Sequence, residues 1–128
     1  MKLKILFFTA LMAGISLVHG QQNDQQLKRF LLGTWVAEQL DQIGQRDEIT
    51  FQADGKFLQR MGSGAWVSGT WDVQDGVVFY HIIEWYPQTA QVNGGVIMIQ
   101  KPGDSTNRIR VLDDNHVQNE DGSVSDRR

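Results

Sequence analysis

Hydrophobic and polar residues change their spacing early in the chain. Leu27, Phe30 and Leu31 recur at helical spacing, so the sequence predicts a short helix over residues 25–32, with Asp24 as its cap. Beyond this segment, apolar positions alternate with polar ones in short runs, and turns rich in Gly and Asp separate the runs. The pattern therefore predicts one short helix followed by an all-β domain.

The alternating runs predict a set of short strands. They are 33–40, 46–52, 56–62, 66–73, 77–86, 95–100, 107–112, 115–119 and 123–127. Helix-length segments do not interrupt this series, so we expect an antiparallel up-and-down meander of about eight to nine strands, which curls into a small barrel or sandwich to hide its edges. The one long joint, Pro87 to Gly95, is interpreted as a plain connection or as a portal loop at the barrel mouth.

Turn chemistry predicts which side chains face inward. At Asp54-Gly55 a three-residue loop with Gly55 in the left-handed region pairs Phe51 with Phe57 and keeps polar residues opposite polar ones. The same loop at Asp75-Gly76 points one set of side chains on strand 77–86 into the barrel. That set is Val77, Phe79, His81, Ile83 and Trp85.

A two-residue loop at Asp75-Gly76 is the alternative. It reverses the strand, so that Val78, Tyr80, Ile82 and Glu84 face inward. We favour the three-residue loop. In either case strand 77–86 is apolar on both faces, and its outer face needs a cover: the short helix, a partner protein or a second copy of the chain.

The start of the chain has the layout of a secretory signal peptide. A charged start with Lys2 and Lys4 precedes an apolar run that is shorter than the ~20 residues a spanning helix needs, and Gly20 offers a small residue at the cut. We expect cleavage near Gly20-Gln21, export to the periplasm or the extracellular space, and no stable membrane insertion afterwards. The expected organisation is a signal peptide at 1–20, a tail and short helix at 21–32, and a barrel domain at 33–128.

Charge and cysteine content narrow the function classes. Removal of Lys2 and Lys4 with the leader reduces the 12 basic residues to 10, against 15 acidic ones. An acidic chain is a poor partner for nucleic acid or an anionic membrane surface. The sequence contains no Cys, so its core must hold the exported domain together without disulfides.

A three-residue motif occurs twice. Gly33-Thr34-Trp35 returns as Gly69-Thr70-Trp71, and in each copy the Gly lets backbone approach closely beside a large ring. With the lead-in helix, the meander and the terminal Arg127-Arg128, the chain resembles the lipocalin-like (calycin) group, especially its small bacterial exported members. The resemblance implies that Trp35 lies across the closed end of the barrel with Arg127 or Arg128 packed over it. Gly33, Trp35, Gly69, Trp71 and Arg127 are the structural residues expected on this basis.

Candidate chemistry is sparse. After the leader the chain has His81 and His116 but no metal-ligand spacing, no nucleophile elbow and no phosphate loop, so we expect neither a metal nor a cofactor. An inward His81 would hydrogen-bond a ligand head group, act as a general base, or bond a buried group within the core. Arg110 faces solvent if Ile109 is buried, and binds a carboxylate ligand if the face is reversed.

These patterns favour an exported lipocalin-like protein that binds a small apolar or amphipathic molecule. The candidate ligand contacts are His81, Tyr80, Trp71, Phe79, Trp85 and Arg110. The alternative is a protein-interaction or inhibitor module with a solid core, and we also predict a homodimer through strand 77–86. We do not expect an enzyme; a cofactor-free isomerase or hydrolase built on His81 or Glu84 is the third hypothesis. An interior cavity of several hundred Å³ would distinguish the first two.

Overall fold

A computed structural model describes residues 23–128, so the predicted signal peptide lies outside the described residues. This part of the chain forms one helix and eleven strands. The elements are α1 (Asp24–Leu31), β1 (Gly33–Ala37), β2 (Glu48–Phe51), β3 (Lys56–Arg60), β4 (Trp66–Gln74), β5 (Val77–Tyr86), β6 (Thr89–Val92), β7 (Gly95–Met98), β8 (Ser105–Arg108), β9 (Arg110–Asp113), β10 (His116–Gln118) and β11 (Val124–Arg127). None of the described residues belongs to a helix that is long and apolar enough to cross a membrane.

Nine of the strands form one antiparallel sheet in the order β8-β5-β4-β3-β2-β1-β11-β10-β9. The two strands at the ends of this order, β8 and β9, are separated along the chain by Ile109 alone, so the chain itself brings the sheet edges together. Across the seam Asn107 donates from Nδ2 to Asn119 Oδ1 at 2.9 Å, and the Arg108 N–H donates to Glu120 at 2.9 Å. The result is a nearly closed barrel that is compatible with a calycin-like fold, and it confirms the predicted all-β meander.

The helix closes one end of this barrel. Leu27 and Leu31 are buried beside Trp35, which is 1% exposed and whose indole N–H donates to the Leu31 carbonyl at 2.9 Å. The core continues along the barrel with apolar side chains from most strands. Its other buried members are Phe51, Phe57, Val67, Trp71, Val73, Val78, Ile82, Ile109, Val111 and Val117.

The helix cap differs from the predicted one by one residue. Asn23 caps α1 by accepting from the Gln26 N–H at 2.8 Å, and the Gln26 side chain returns a bond to the Asn23 N–H. Asp24 instead accepts from the N–H groups of Asp75 and Gly76, at 2.9 and 3.0 Å. This carboxylate therefore ties the helix to the β4–β5 turn.

The two Asp-Gly hairpins adopt different turns. Phe51 pairs with Phe57 across a loop in which Gly55 has φ +86°, as predicted. The favoured register of the second hairpin is wrong, because Val73 pairs with Val78 across a two-residue turn. Its central residues, Asp75 and Gly76, both have positive φ, which matches the right-handed twist of the flanking strands without an added residue.

A bulge in β5 then reverses the alternation of this strand. Ser68 pairs with Glu84 and Gly69 with Ile82, so that Ile83 is an extra residue without a partner on β4. Before the bulge, the residues that face inward are those expected for the two-residue loop, including Val78 and Ile82. After the bulge, toward the end of β5, the alternation of inward and outward residues is reversed. Glu84 is therefore exposed, and Trp85 faces inward. Neither predicted register therefore holds along the whole strand.

The joint from Pro87 to Gly95, predicted to lack strands, contains β6. This strand pairs with β7 across a two-residue Asn93-Gly94 turn and forms a separate two-stranded sheet. The predicted strand 95–100 is thus part of an inserted hairpin, not of the barrel wall. Its apolar side chains remain exposed, with Val96 at 60% and Met98 at 73%.

Candidate functional site

A cavity of about 690 Å³ occupies the interior of the barrel. Because the meander is antiparallel, the β1–β2 and β10–β11 connections lie at the end opposite the β4–β5 turn, and α1 closes the latter end. Residues of those two connections, Asp47, Glu120 and Asp121 among them, line the cavity. The cavity therefore extends from Leu31 and Trp35 to these two connections.

The floor of the cavity is apolar. Leu31 and Trp35 line it from the closed end, and Phe51, Ile109 and Val117 line it from the surrounding strands. All five side chains are at most 8% exposed. Trp35 has its only ring N–H bonded to the Leu31 carbonyl, so this ring offers a hydrophobic surface to an occupant.

The wall above the floor is polar but uncharged. Asn107, Asn119 and Ser125 line the cavity, and Asn119 donates from Nδ2 to the hydroxyl of Ser125 at 3.0 Å. Tyr80 also lines it; burial raises the pKa of Tyr80 to about 12, and a weaker interaction with the Asn107 side chain opposes the rise. Its phenol is therefore neutral at physiological pH and can serve as a hydrogen-bond donor.

The rim of the cavity is acidic. Asp47, Glu120 and Asp121 line it, and none of the described lining side chains is basic. The pKa of Asp121 is lowered, chiefly by the hydrogen bond from the Ser123 hydroxyl and then by that residue's backbone N–H. The rim consequently presents negative charge to anything that enters.

Arg127 secures the closed end beneath the floor. Its guanidinium carbon lies 4.4 Å from the centre of the Trp35 ring and 4.7 Å from that of Phe30. Its nitrogens donate to the backbone carbonyls of Phe30 at 2.9 Å and Asp114 at 3.1 Å. The resemblance implied that either Arg127 or Arg128 packs over Trp35. Arg128 instead pairs with Glu48 at 3.0 Å, so Arg127 is the arginine over the Trp35 ring.

Trp71, from the second copy of the motif, is a core residue. It is 5% exposed, donates from its indole N–H to the Gln52 carbonyl at 3.2 Å, and lies with its ring centre 4.7 Å from that of Phe51. It does not line the interior cavity. The two Gly-Thr-Trp copies therefore seat two large rings in one core, and only Trp35 of the first copy meets the cavity.

His81 and Phe79 lie outside the barrel, and their predicted inward orientation is wrong. His81 has 60% of its side chain exposed, and its Nδ1 lies 2.9 Å from Asp104 Oδ2. That contact is the largest cause of the lowered pKa of Asp104. Phe79 is 43% exposed. The two-residue β4–β5 turn explains both positions, because it shifts the register by one residue.

Four of the predicted ligand residues meet at a second, shallower depression of about 490 Å³. Trp71, Phe79, Tyr80 and His81 line it together with Asp104. Tyr80 is the one predicted contact that also lines the interior cavity. Trp85 and Arg110 line neither depression: the Trp85 indole donates to the Ile99 carbonyl at 3.3 Å, and Arg110 is exposed beside a buried Ile109.

A further set of polar side chains was not predicted. His116 lies on the outer face of the barrel, with Nδ1 at 2.7 Å from Asp113 and Nε2 at 3.5 Å from Asp126. The hydrogen bond with Asp113 is the largest cause of the raised pKa of His116. Glu38 completes the set, and it is 78 positions from His116 in the chain. Such separation leaves no local spacing motif, because the residues meet only through the pairing of β11 with both β1 and β10.

Comparisons with protein-family models, curated proteins and solved structures found no match for the chain. The interpretation of the site therefore depends on its own geometry. That geometry consists of a cavity with an apolar floor, a neutral polar wall and an acidic rim.

Proposed function

We propose that the protein is a lipocalin-like binding protein that takes a small amphipathic molecule into its barrel. The interior cavity carries this proposal, because about 690 Å³ is within the usual range of roughly 300–1,000 Å³ for small-molecule sites. A barrel with a solid core, as the alternative hypothesis required, would leave no such space. Export, which the leader at 1–20 predicts, remains part of the proposal.

The lining supports a particular ligand chemistry. The apolar portion of the molecule would contact Trp35 and its neighbours, while Tyr80, Asn107 and Asn119 would hydrogen-bond a polar group higher in the cavity. Rim carboxylates repel an anionic head group. A neutral or cationic amphiphile is therefore favoured over a fatty acid or another anion.

A fluorescence titration with the neutral probe N-phenyl-1-naphthylamine tests the proposal. Ala37 lines the cavity, so Ala37→Phe should fill part of it and weaken probe binding about tenfold or more. Ala53→Phe is the matched control, because Ala53 is exposed in the β2–β3 turn at the other end of the barrel, and it should bind like the parent chain. Absence of saturable binding, or equal loss in both variants, would remove the proposal.

One observation favours a second function, a protein-interaction module. The outer face of β5 and the inserted hairpin expose large apolar side chains. They are Phe79, Ile83, Tyr86, Val92, Val96, Ile97 and Met98. The occupant that we propose is a second copy of this chain, since β7 pairs only with β6 among the described strands and its free edge can pair antiparallel with its own copy about a twofold axis.

Sedimentation velocity at increasing concentration tests this dimer. The parent chain should associate, and Val96→Glu should remain monomeric because it places a charge in the apolar patch. Ala53→Glu adds the same charge at the opposite end and should dimerise like the parent. A strict monomer for the parent chain at high concentration contradicts the proposal.

A further inference from the structure

Three adjacent strands place polar side chains side by side on the outer face of the barrel. β11 lies between β1 and β10, and Asp126 on β11 is directly opposite His116 on β10 and Val36 on β1. Glu38 lies two residues beyond Val36, just past the end of β1, where its N–H donates to the Val124 carbonyl at 2.9 Å. Residues two apart on a strand share a face, so the three side chains converge.

The distances in this cluster suit a small cation. One ligand atom from each of Glu38, His116 and Asp126 lies within 4.8 Å of the other two. The His116 Nε2 to Asp126 Oδ1 distance is 3.5 Å. Two ligands bound at about 2.0–2.1 Å to a tetrahedral zinc ion are about 3.4 Å apart. His116 and Asp126 therefore already have the separation that a zinc ion requires. The exposed Glu38 side chain can move its carboxylate the short distance that remains between it and the other two groups.

Asp113 orients the imidazole for this role. Its Oδ1 lies 2.7 Å from His116 Nδ1 and, as a carboxylate, accepts a hydrogen bond from it. Nδ1 therefore carries the proton, and the other ring nitrogen, Nε2, faces Asp126. A histidine held by a carboxylate behind it is the usual arrangement around protein-bound metals.

Asp126 supplies a separate observation that points to a missing partner. Its Oδ1 is inaccessible, although 34% of the Asp126 side chain is exposed, and among the described residues this oxygen has no hydrogen bond. A buried carboxylate oxygen without a donor is costly, and such atoms are uncommon in folded proteins. The unpaired atom is the same oxygen that faces His116 Nε2. A bound cation at this point would satisfy it.

We propose that Glu38, His116 and Asp126 bind a divalent transition-metal ion, with zinc as the best fit and Asp113 as a positioning residue. One imidazole and two carboxylates suit zinc better than calcium or magnesium, which prefer oxygen ligands throughout. Water would complete the coordination at the exposed Glu38 side. The site lies outside the barrel and is independent of the interior cavity.

Isothermal titration of the metal-free, untagged full chain with zinc chloride tests the site. One ion should bind with a Kd in the micromolar range or tighter. His116→Gln and Asp126→Asn should weaken binding more than tenfold, and Asp113→Asn about 10-fold to 100-fold. Circular dichroism melting of each variant checks that the fold is retained.

His81 provides the matched control. It forms the same kind of imidazole–carboxylate pair with Asp104, at 2.9 Å, but belongs to no three-residue cluster among the described residues. His81→Gln should therefore leave zinc binding unchanged. If the His116 variants fail to fold, the ¹⁵N resonance of His116 Nε2 in the parent chain still reports the site, because zinc should shift it and leave those of His81 in place.

Two results would overturn the proposal. One is the absence of zinc binding by the parent chain at zinc concentrations up to about 1 mM, at which a site with a micromolar Kd would be saturated. In that case Asp126 faces only the imidazole of His116. The other is binding that survives His116→Gln or leaves the His116 Nε2 resonance unmoved, since the metal would then be held elsewhere.

Discussion

Gly69→Ala should lower the free energy of unfolding by about 3 kcal/mol or more, which places it among the severe single substitutions. A Cβ at this position would overlap the carbonyl oxygen of His81 and would lie 2.9 Å from that carbonyl carbon and 3.1 Å from the Cα of Ile82. These are backbone atoms of the bulged strand, so no side chain can rotate away. The β4–β5 ladder would have to separate at the bulge.

Gly103→Ala is the control for this substitution. A Cβ at Gly103 would meet nothing within 4 Å, and its φ is not in the left-handed region, so stability should change by less than about 0.5 kcal/mol. Urea unfolding followed by Trp fluorescence measures both variants against the parent. Equal stability for the two would mean that the close approach of β4 and β5 at Gly69 contributes nothing.

The bulge also explains why the face of β5 could not be predicted from the sequence. Phe51 and Phe57 fixed the first hairpin, because only one loop length kept apolar residues opposite each other. In the second hairpin β5 is apolar on both faces, so alternation did not discriminate between the loops. The extra residue at Ile83 depends on the close approach of Gly69, a tertiary contact that leaves no periodic signal.

The cavity was only partly predictable for a related reason. The resemblance implied that Trp35 lies at the closed end, and its indole N–H does bond the Leu31 carbonyl of α1 there. The polar wall is built from Asn107, Asn119 and Ser125, which meet where the two ends of the sheet join. In the sequence these residues read as ordinary strand ends and turns. Their role arises from closure of the barrel, which no single segment encodes.

Arg127→Ala should lower the free energy of unfolding by about 3 kcal/mol. The guanidinium covers the Trp35 and Phe30 rings, and each such contact contributes roughly 0.5–2 kcal/mol. Its hydrogen bonds to the Phe30, Leu32 and Asp114 carbonyls, at 2.9, 3.4 and 3.1 Å, add roughly 1.5–3 kcal/mol for the best-formed bond. Because the contacts share one side chain, their contributions do not add fully.

Two further variants test whether the lost stability comes from the guanidinium contacts of Arg127 or only from its positive charge. Arg127→Lys keeps the charge but loses the planar fork that reaches three carbonyls, so it should recover less than half of the lost stability. Arg128→Ala removes the adjacent arginine, whose ion pair with Glu48 has 62% of the Arg side chain exposed, and should cost less than about 1 kcal/mol. Urea midpoints compare all three. If Arg127→Ala loses no more stability than Arg128→Ala, the contact over Trp35 does not hold the barrel end closed, and the cavity floor must be fixed by α1 alone.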